Sequence, residues 1–263
     1  MKQYYFISGL PRSGSTLFSA ILKQNPNFYA DIASPVEALT GSSIDIITGA
    51  ESNLTISEKQ RKNLLYGIFD GYYQHIEKPV IFDTSRSWTR KTNLLKTLFP
   101  YTKIICLVRD VVSILNSFEV ILNKNSLYTN QINEKVFSKN IHSRVQEIFD
   151  RSIIDYYSFL QEGLSINPQM MHIIEYDNLC REPEKIFRGV YEFLEKPYYH
   201  HDFENVEYSN KDFDRVCGVK DLHTVKKRVD YDPPKCILPL EIVKKYKNMK
   251  MEFWKDRKII EYE

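Results

Sequence analysis

Tyr4-Tyr5-Phe6-Ile7-Ser8-Gly9-Leu10-Pro11-Arg12-Ser13-Gly14-Ser15-Thr16-Leu17 reads as an apolar strand, a glycine-bounded loop and the start of a helix. Gly9, Gly14 and Thr16 have the spacing of a Walker A phosphate loop, G-x-x-x-x-G-K-[ST], but Ser15 stands in the lysine position. That lysine reaches the β- and γ-phosphates of a nucleoside triphosphate. A loop that keeps the cradle, lacks the lysine and carries Arg12 suits an anion other than a triphosphate. Backbone N–H groups of such a turn, followed by a helix N-terminus, form an anion site. Ser13, Ser15 and Thr16 add further donors. The alternative is a tight β–α turn with no ligand.

Working outward, strand patterns alternate with helix patterns. Pro79 to Asp83, Lys103 to Val108 and Met171 to Tyr176 read as strands. Residues 15–24, 58–77, 91–99, 111–121, 139–163, 183–194 and 242–254 read as helices, with Ser57 as a cap. Residues 28–54 read as irregular or weakly helical, and 122–138 as a polar loop. The order predicts an α/β fold, a three-layer α/β/α arrangement with a mostly parallel sheet. Residues 1–263 read as a single domain, with a lid or acceptor loop region at 198–240.

The chain has 263 residues, 43% apolar and 27% charged, with a formal net charge of +2, which is ordinary for a soluble globular protein. No like-charge run forms a tail, so nothing points to nucleic acid. Cys106, Cys180, Cys217 and Cys236 have no CxxC spacing, which argues against a zinc site. No signal-peptide pattern and no membrane-length apolar run are present, so a cytoplasmic, reduced protein is expected.

Val108-Arg109-Asp110-Val111-Val112-Ser113-Ile114-Leu115-Asn116-Ser117 is the second informative stretch. Arg109 ends a strand, and ligands of open α/β sheets sit beyond the carboxyl ends of strands. Ser117 lies eight residues on, roughly 11–12 Å away along a helix. Both touch one anion only if the chain folds back at the junction. The alternative is an Arg–Asp surface pair and an unrelated helix serine.

Together the motifs resemble the sulfotransferases that use 3′-phosphoadenosine 5′-phosphosulfate (PAPS). Gly-Leu-Pro-Arg-Ser-Gly-Ser-Thr resembles their 5′-phosphosulfate loop, and the Arg109…Ser117 pair is similar to their 3′-phosphate motif. Glu175-Tyr176-Asp177-Asn178-Leu179, with Pro183 and Phe193-Leu194 after it, looks like their acidic-aromatic segment. The Pro-Arg-Ser-Gly form is closer to the tyrosylprotein and bacterial branches. The resemblance runs from about residue 3 to 197. It implies a P-loop-like fold and PAPS as co-substrate, with 3′-phosphoadenosine 5′-phosphate (PAP) as product and no metal requirement. The implied donor-binding residues are Pro11, Arg12, Ser13, Gly14, Ser15, Thr16, Arg109, Ser117 and Tyr176, with Lys226 and Lys227 from a lid.

Sulfuryl transfer needs a base on the acceptor and cations on the departing phosphate. The candidate bases are Asp31, Glu37, Asp83 and His223. The tyrosylprotein branch's Gly-Glu-Glu-Thr box is not matched by Asp31-Ile32-Ala33-Ser34, so its base cannot be carried over. Glu37 is such a base shifted in register, or a solvated helix residue. Arg86 is expected in the cationic role, and Asp83 orients it or acts as base. His223 would line the acceptor site, and His200-His201 reads as surface. The acceptor is expected to be a small molecule or a peptide. Two rival readings stand: a P-loop kinase or nucleotide hydrolase with a degenerate Walker A, and a non-catalytic nucleotide-binding module.

Overall fold

The computed structural model of the protein describes residues 2–125, 140–217, 219–220 and 222–255. In chain order the elements are β1 (Gln3–Gly9), α1 (Ser15–Leu22), β2 (Phe28–Ala30), α2 (Val36–Ile47), α3 (Ala50–Thr55), α4 (Glu58–Tyr72), β3 (Val80–Thr84), α5 (Thr92–Leu98), β4 (Ile104–Val108) and α6 (Val111–Lys124). Then come α7 (Ile141–Ser152), α8 (Ile154–Ile166), β5 (Met171–Glu175), α9 (Tyr176–Arg181), α10 (Pro183–Phe193), α11 (Lys211–Cys217) and α12 (Leu240–Asn248). A 3-10 turn, Arg86–Lys91, follows β3.

The five strands form one sheet in the order β2-β3-β1-β4-β5, and every described pairing is parallel. The chain runs to one side of β1 for β2 and β3, then crosses to the other for β4 and β5. The crossover places a topological switch at the carboxyl end of β1, where open α/β sheets hold ligands.

Side chains of a strand alternate between the two faces of a sheet. Tyr4, Phe6, Ile104, Cys106 and Val108 join one apolar core, with Trp88, Phe69 and Leu160. Tyr5, Ile7, Ile105 and Leu107 join the other, with Phe18, Phe187 and Tyr191. Both faces are covered by helices, so β1, β3 and β4 read as continuous apolar runs rather than alternating ones.

Several sequence expectations shift. Residues 28–54, expected to be irregular or weakly helical, contain the helices α2 and α3 and also a strand, β2. At three residues, β2 is too short to carry a periodic signal. The helix expected over 139–163 is two, α7 and α8, separated at Ile153, which leaves helical geometry with φ −122° and is fully buried. Helix α4 ends at Tyr72 rather than 77, and α12 spans Leu240–Asn248 rather than 242–254. Ser57 caps α4 in a reciprocal capping box with Gln60. In the polar stretch 122–138, α6 continues through Lys124, and 126–139 lie outside the described residues. Among the described residues no helix is long and apolar enough to cross a membrane.

Candidate active site

The loop between β1 and α1 is shaped by backbone contacts that exclude side chains. Gly9 has φ 117°, and a Cβ there would lie 2.1 Å from the carbonyl oxygen of Leu107. Gly14 has φ 87°, and its Cβ would lie 2.5 Å from the Tyr176 ring. Arg12, between them, is held at φ 56°, a left-handed conformation that a non-glycine residue adopts at a cost. Ser13 is buried, and its hydroxyl donates to the Pro11 carbonyl at 3.3 Å. Helix α1 begins at Ser15 with no side-chain cap and no acidic residue in its first turn. By contrast α4, α6 and α7 are capped by Ser57, Asp110 and Asn140. The first amides of α1 therefore offer donors and positive potential to an anion.

Arg12 of this loop and Arg109 from the end of β4 meet here, and the charge of Arg86 bears on Arg12. The Arg12 side chain is half-buried; its Nε donates to Ser117 Oγ at 3.2 Å and its Nη1 to the Leu222 carbonyl at 3.3 Å. Arg109, which is buried, donates from Nη1 to the Arg12 carbonyl at 3.4 Å, and its guanidinium lies 4.3 Å over the Tyr176 ring. Arg109 and Ser117 are thus brought together through Arg12. Their helix phase is fixed by Asp110, whose carboxylate accepts the Ser113 amide at 2.8 Å. Asp110 is therefore a helix cap rather than a partner of Arg109.

Arg86 begins the 3-10 turn after β3. Ser8 Oγ donates to its carbonyl at 2.9 Å, and the Ser85 amide donates to Ile7 O at 3.1 Å. These bonds seat the turn against the end of β1. The Arg86 guanidinium is exposed and lies 5.7 Å over the Tyr156 ring.

Burial pushes the Arg12 guanidinium down to about 10, and the like charges of Arg86 and Arg109 add to the effect. Tyr176 and Asp214 oppose it. Nε of Arg109 is buried without a hydrogen-bond partner among the described residues. Clustered guanidiniums with an orphaned donor are costly in the bare protein. An anion in the crevice would offset that cost.

The remaining candidates are arranged differently. Asp83 is fully enclosed and accepts from Ser34 Oγ at 2.5 Å, Tyr73 OH at 2.6 Å and Trp88 Nε1 at 2.6 Å. It makes no ion pair with Arg86; it fastens the segment before α2, the residue after α4 and the 3-10 turn to β3, and its carboxylate is occupied on both oxygens. Glu37 is buried at the start of α2 and pairs with Lys91 at 2.6 Å and Arg90 at 3.3 Å. It is therefore not a solvated helix residue. Asp31 accepts from Tyr208 OH at 2.7 Å. Lys226 and Lys227 are exposed, and Lys226 pairs with Asp232 at 2.5 Å. The late segment meets the loop through Leu222, whose carbonyl accepts from Arg12.

His223 Nδ1 lies 2.6 Å from Asp214 Oδ1. Sequence reading had no signal for Asp214, which sits on a short helix inside the stretch where periodicity failed. His201, expected on the surface, is buried beside Phe187, with Nε2 3.1 Å from Tyr191 OH. Its imidazole is pushed down to about 4 by burial.

A parallel sheet with a phosphate-type loop at its central strand, and arginines gathered above that loop, defines a P-loop-like anion-binding α/β protein. The sequence profile of the sulfotransferase family matches residues 5–200. The chain belongs to the sulfotransferase family.

Solved structures share this fold. The sulfotransferase domain of the Synechococcus PCC 7002 olefin synthase is 17% identical over 95% of this chain and 96% of its own, with a TM-score of 0.54. A sulfotransferase from Alicyclobacillus acidocaldarius is 15% identical over 82% of this chain and 90% of its own, TM-score 0.52. Retinol dehydratase in complex with androsterone and the inactive cofactor PAP is 14% identical over 99% of this chain and 82% of its own, TM-score 0.51. A search of curated protein sequences found no significant match.

Proposed function

We propose that the protein moves the sulfuryl group of PAPS to a hydroxyl or amine acceptor, a small molecule or a peptide, by in-line displacement. The carrying observation is the geometry of the two arginines: Arg12 reaches Ser117, Arg109 reaches the Arg12 carbonyl, and Arg109 Nε has no hydrogen-bond partner among the described residues. Such a cluster suits a ligand with two separate anionic groups. Pro11 to Thr16 and the amides of α1 hold the 5′-phosphosulfate, with Thr16 donating to the 5′-phosphate. Arg109 and Ser117 hold the 3′-phosphate, and Tyr176 keeps Arg109 in place. As the S–O bond to phosphate breaks, charge grows on the departing oxygen. Arg12 and Arg86 are the cations placed to stabilise it.

Titration calorimetry with PAP and with ATP, each with and without Mg²⁺, tests this reading. Tight PAP binding that ignores Mg²⁺, with weak ATP binding, is the expected result. Mg²⁺-dependent ATP binding that exceeds PAP binding overturns it in favour of phosphoryl chemistry.

A further inference from the structure

We propose that Tyr156 is the positioning residue for Arg86, its ring holding that guanidinium beside the β1–α1 loop; this rests on the sulfuryl-transfer reading above, in which Arg86 meets the charge of the departing phosphate. Arg86 is exposed, and its charge bears on Arg12 and on His223. Among the described residues its guanidinium makes no hydrogen bond and no ion pair, and it lies 5.7 Å over the Tyr156 ring. Arginines elsewhere are held by carboxylates: Arg90 by Glu37, Arg144 by Glu119 and Arg188 by Glu184. A carboxylate beside Arg86 would anchor it and cancel its charge. An aromatic face attracts the cation and leaves the charge whole. The site uses this device twice, since Arg109 lies over Tyr176 and also has no carboxylate partner among the described residues.

The ring is itself fixed. Tyr156 is half-buried on α8 and meets Phe159 edge-on, with ring centroids 6.1 Å apart. Phe159 lies three residues on, along the same helix face. It carries Arg90 of the same 3-10 turn, whose guanidinium lies 5.1 Å over its ring. One further turn along, Gly163 brings α8 against the turn's backbone: a Cβ there would lie 2.5 Å from the Thr89 carbonyl oxygen. That close approach sets where the two rings fall under the two guanidiniums. Without the ring, an exposed arginine facing the like charge of Arg12 extends into water. The Tyr156 hydroxyl has no hydrogen-bond partner among the described residues, so the ring face carries the role.

The test combines nitrogen NMR of the arginine side chains, kinetics of PAPS consumption and PAP calorimetry. 2-Naphthol, cyclohexanol, aniline and water serve as acceptors. The Arg86 Nε–H signal is identified by its loss in Arg86→Ala. It should move in Tyr156→Leu, where the ring current is gone, and keep its wild-type position in Tyr156→Phe. Tyr156→Leu should lower kcat roughly tenfold while donor KM and PAP affinity stay within about twofold, because Arg86 acts on charge that grows in the transition state. Tyr156→Phe should recover most of that rate. In the Arg86→Ala background Tyr156→Leu should cost nothing further, whereas a merely structural role costs the same factor in both backgrounds. Urea unfolding checks each variant, and Tyr156→Gln repeats the series if leucine destabilises the fold. Equal losses with and without Arg86, a wild-type kcat in Tyr156→Leu, or an Arg86 signal indifferent to the ring overturns the proposal. Wild-type protein that binds no PAP or consumes no PAPS overturns the sulfuryl-transfer reading instead, and the NMR signal still decides whether Tyr156 holds Arg86.

Discussion

Arg12 Nε donates to Ser117 Oγ at 3.2 Å, joining positions 105 residues apart in the chain. Arg109 closes the same unit by donating to the Arg12 carbonyl. The phosphate-type loop and the strand-end arginine motif are therefore one construction. Loss of a member should be felt in donor binding before it is felt in folding.

Arg12→Ala and Arg109→Ala test that ordering. A ligand at 100 times its Kd stabilises a protein by about 2.7 kcal/mol. The wild type should show a thermal shift of that order with PAP, and both variants should lose most of it. Arg12→Ala should also abolish PAPS turnover, whereas Arg109→Ala should mainly raise the donor KM. Normal turnover and normal PAP-dependent shifts in both variants would contradict the assignment.

Ser117→Ala removes one acceptor of Arg12 and one hydroxyl near the second anionic group. A hydrogen bond to a charged group contributes about 1.5–3 kcal/mol, of which the bare arginine recovers part through water. PAP affinity should fall roughly tenfold, read by calorimetry. The urea midpoint without ligand should stay close to that of the wild type.

Gly14→Ala asks whether the loop tolerates a side chain. Alanine at φ 87° is strained, and its Cβ would lie 2.5 Å from the Tyr176 ring. Relief requires the ring to leave Arg109. A stability loss of about 1–2 kcal/mol is expected from the backbone conformation alone. Weakened PAP binding should accompany it. Urea unfolding and calorimetry on the same preparation check both.

Asp83 carries a pH signature. Burial raises its pKa above the unfolded value of about 3.9, against the opposing hydrogen bonds from Ser34, Tyr73 and Trp88. The folded protein thus holds this proton more tightly than the unfolded chain. Its contribution to stability is fully present below the unfolded pKa and is lost as pH rises through the folded pKa. Asp83→Asn keeps an acceptor for Trp88 and a donor toward the two hydroxyls, and it does not titrate. Stability of the wild type relative to Asp83→Asn should therefore fall as pH rises from 3 to 7 on the order of the Asp83 shift. Asp83→Asn should also retain turnover, because the carboxylate anchors rather than accepts protons. A turnover loss of roughly 100-fold with PAP binding intact would instead make Asp83 the base.

The β1–α1 loop was legible because its constraints are local. Gly9, Gly14 and the hydroxyls of Ser15 and Thr16 lie within eight positions of one another. Arg109 was legible as a strand-end residue. Its union with Ser117 was not, because spacing along a helix says nothing about a third residue that bridges the two. Glu37 was named without its partners: Lys91 and Arg90 lie more than fifty residues on and carry no pattern linking them to α2. Asp214 left no trace, since α11 is a single short helix in a segment whose polar composition hides its period. Strand β2 was lost for the same reason of length.

The sheet also acts as a partition. Tyr4 and Phe6 belong to one core and Tyr5 and Ile7 to the other, so consecutive residues of one strand answer to different neighbours. Substitutions on opposite faces share few partners, and their effects should sum. Either compartment can be repacked while the other stands still. The crest of β1, where Gly9 hands the chain to Arg12, is bounded by both, which makes it the place where independently drifting halves must still agree.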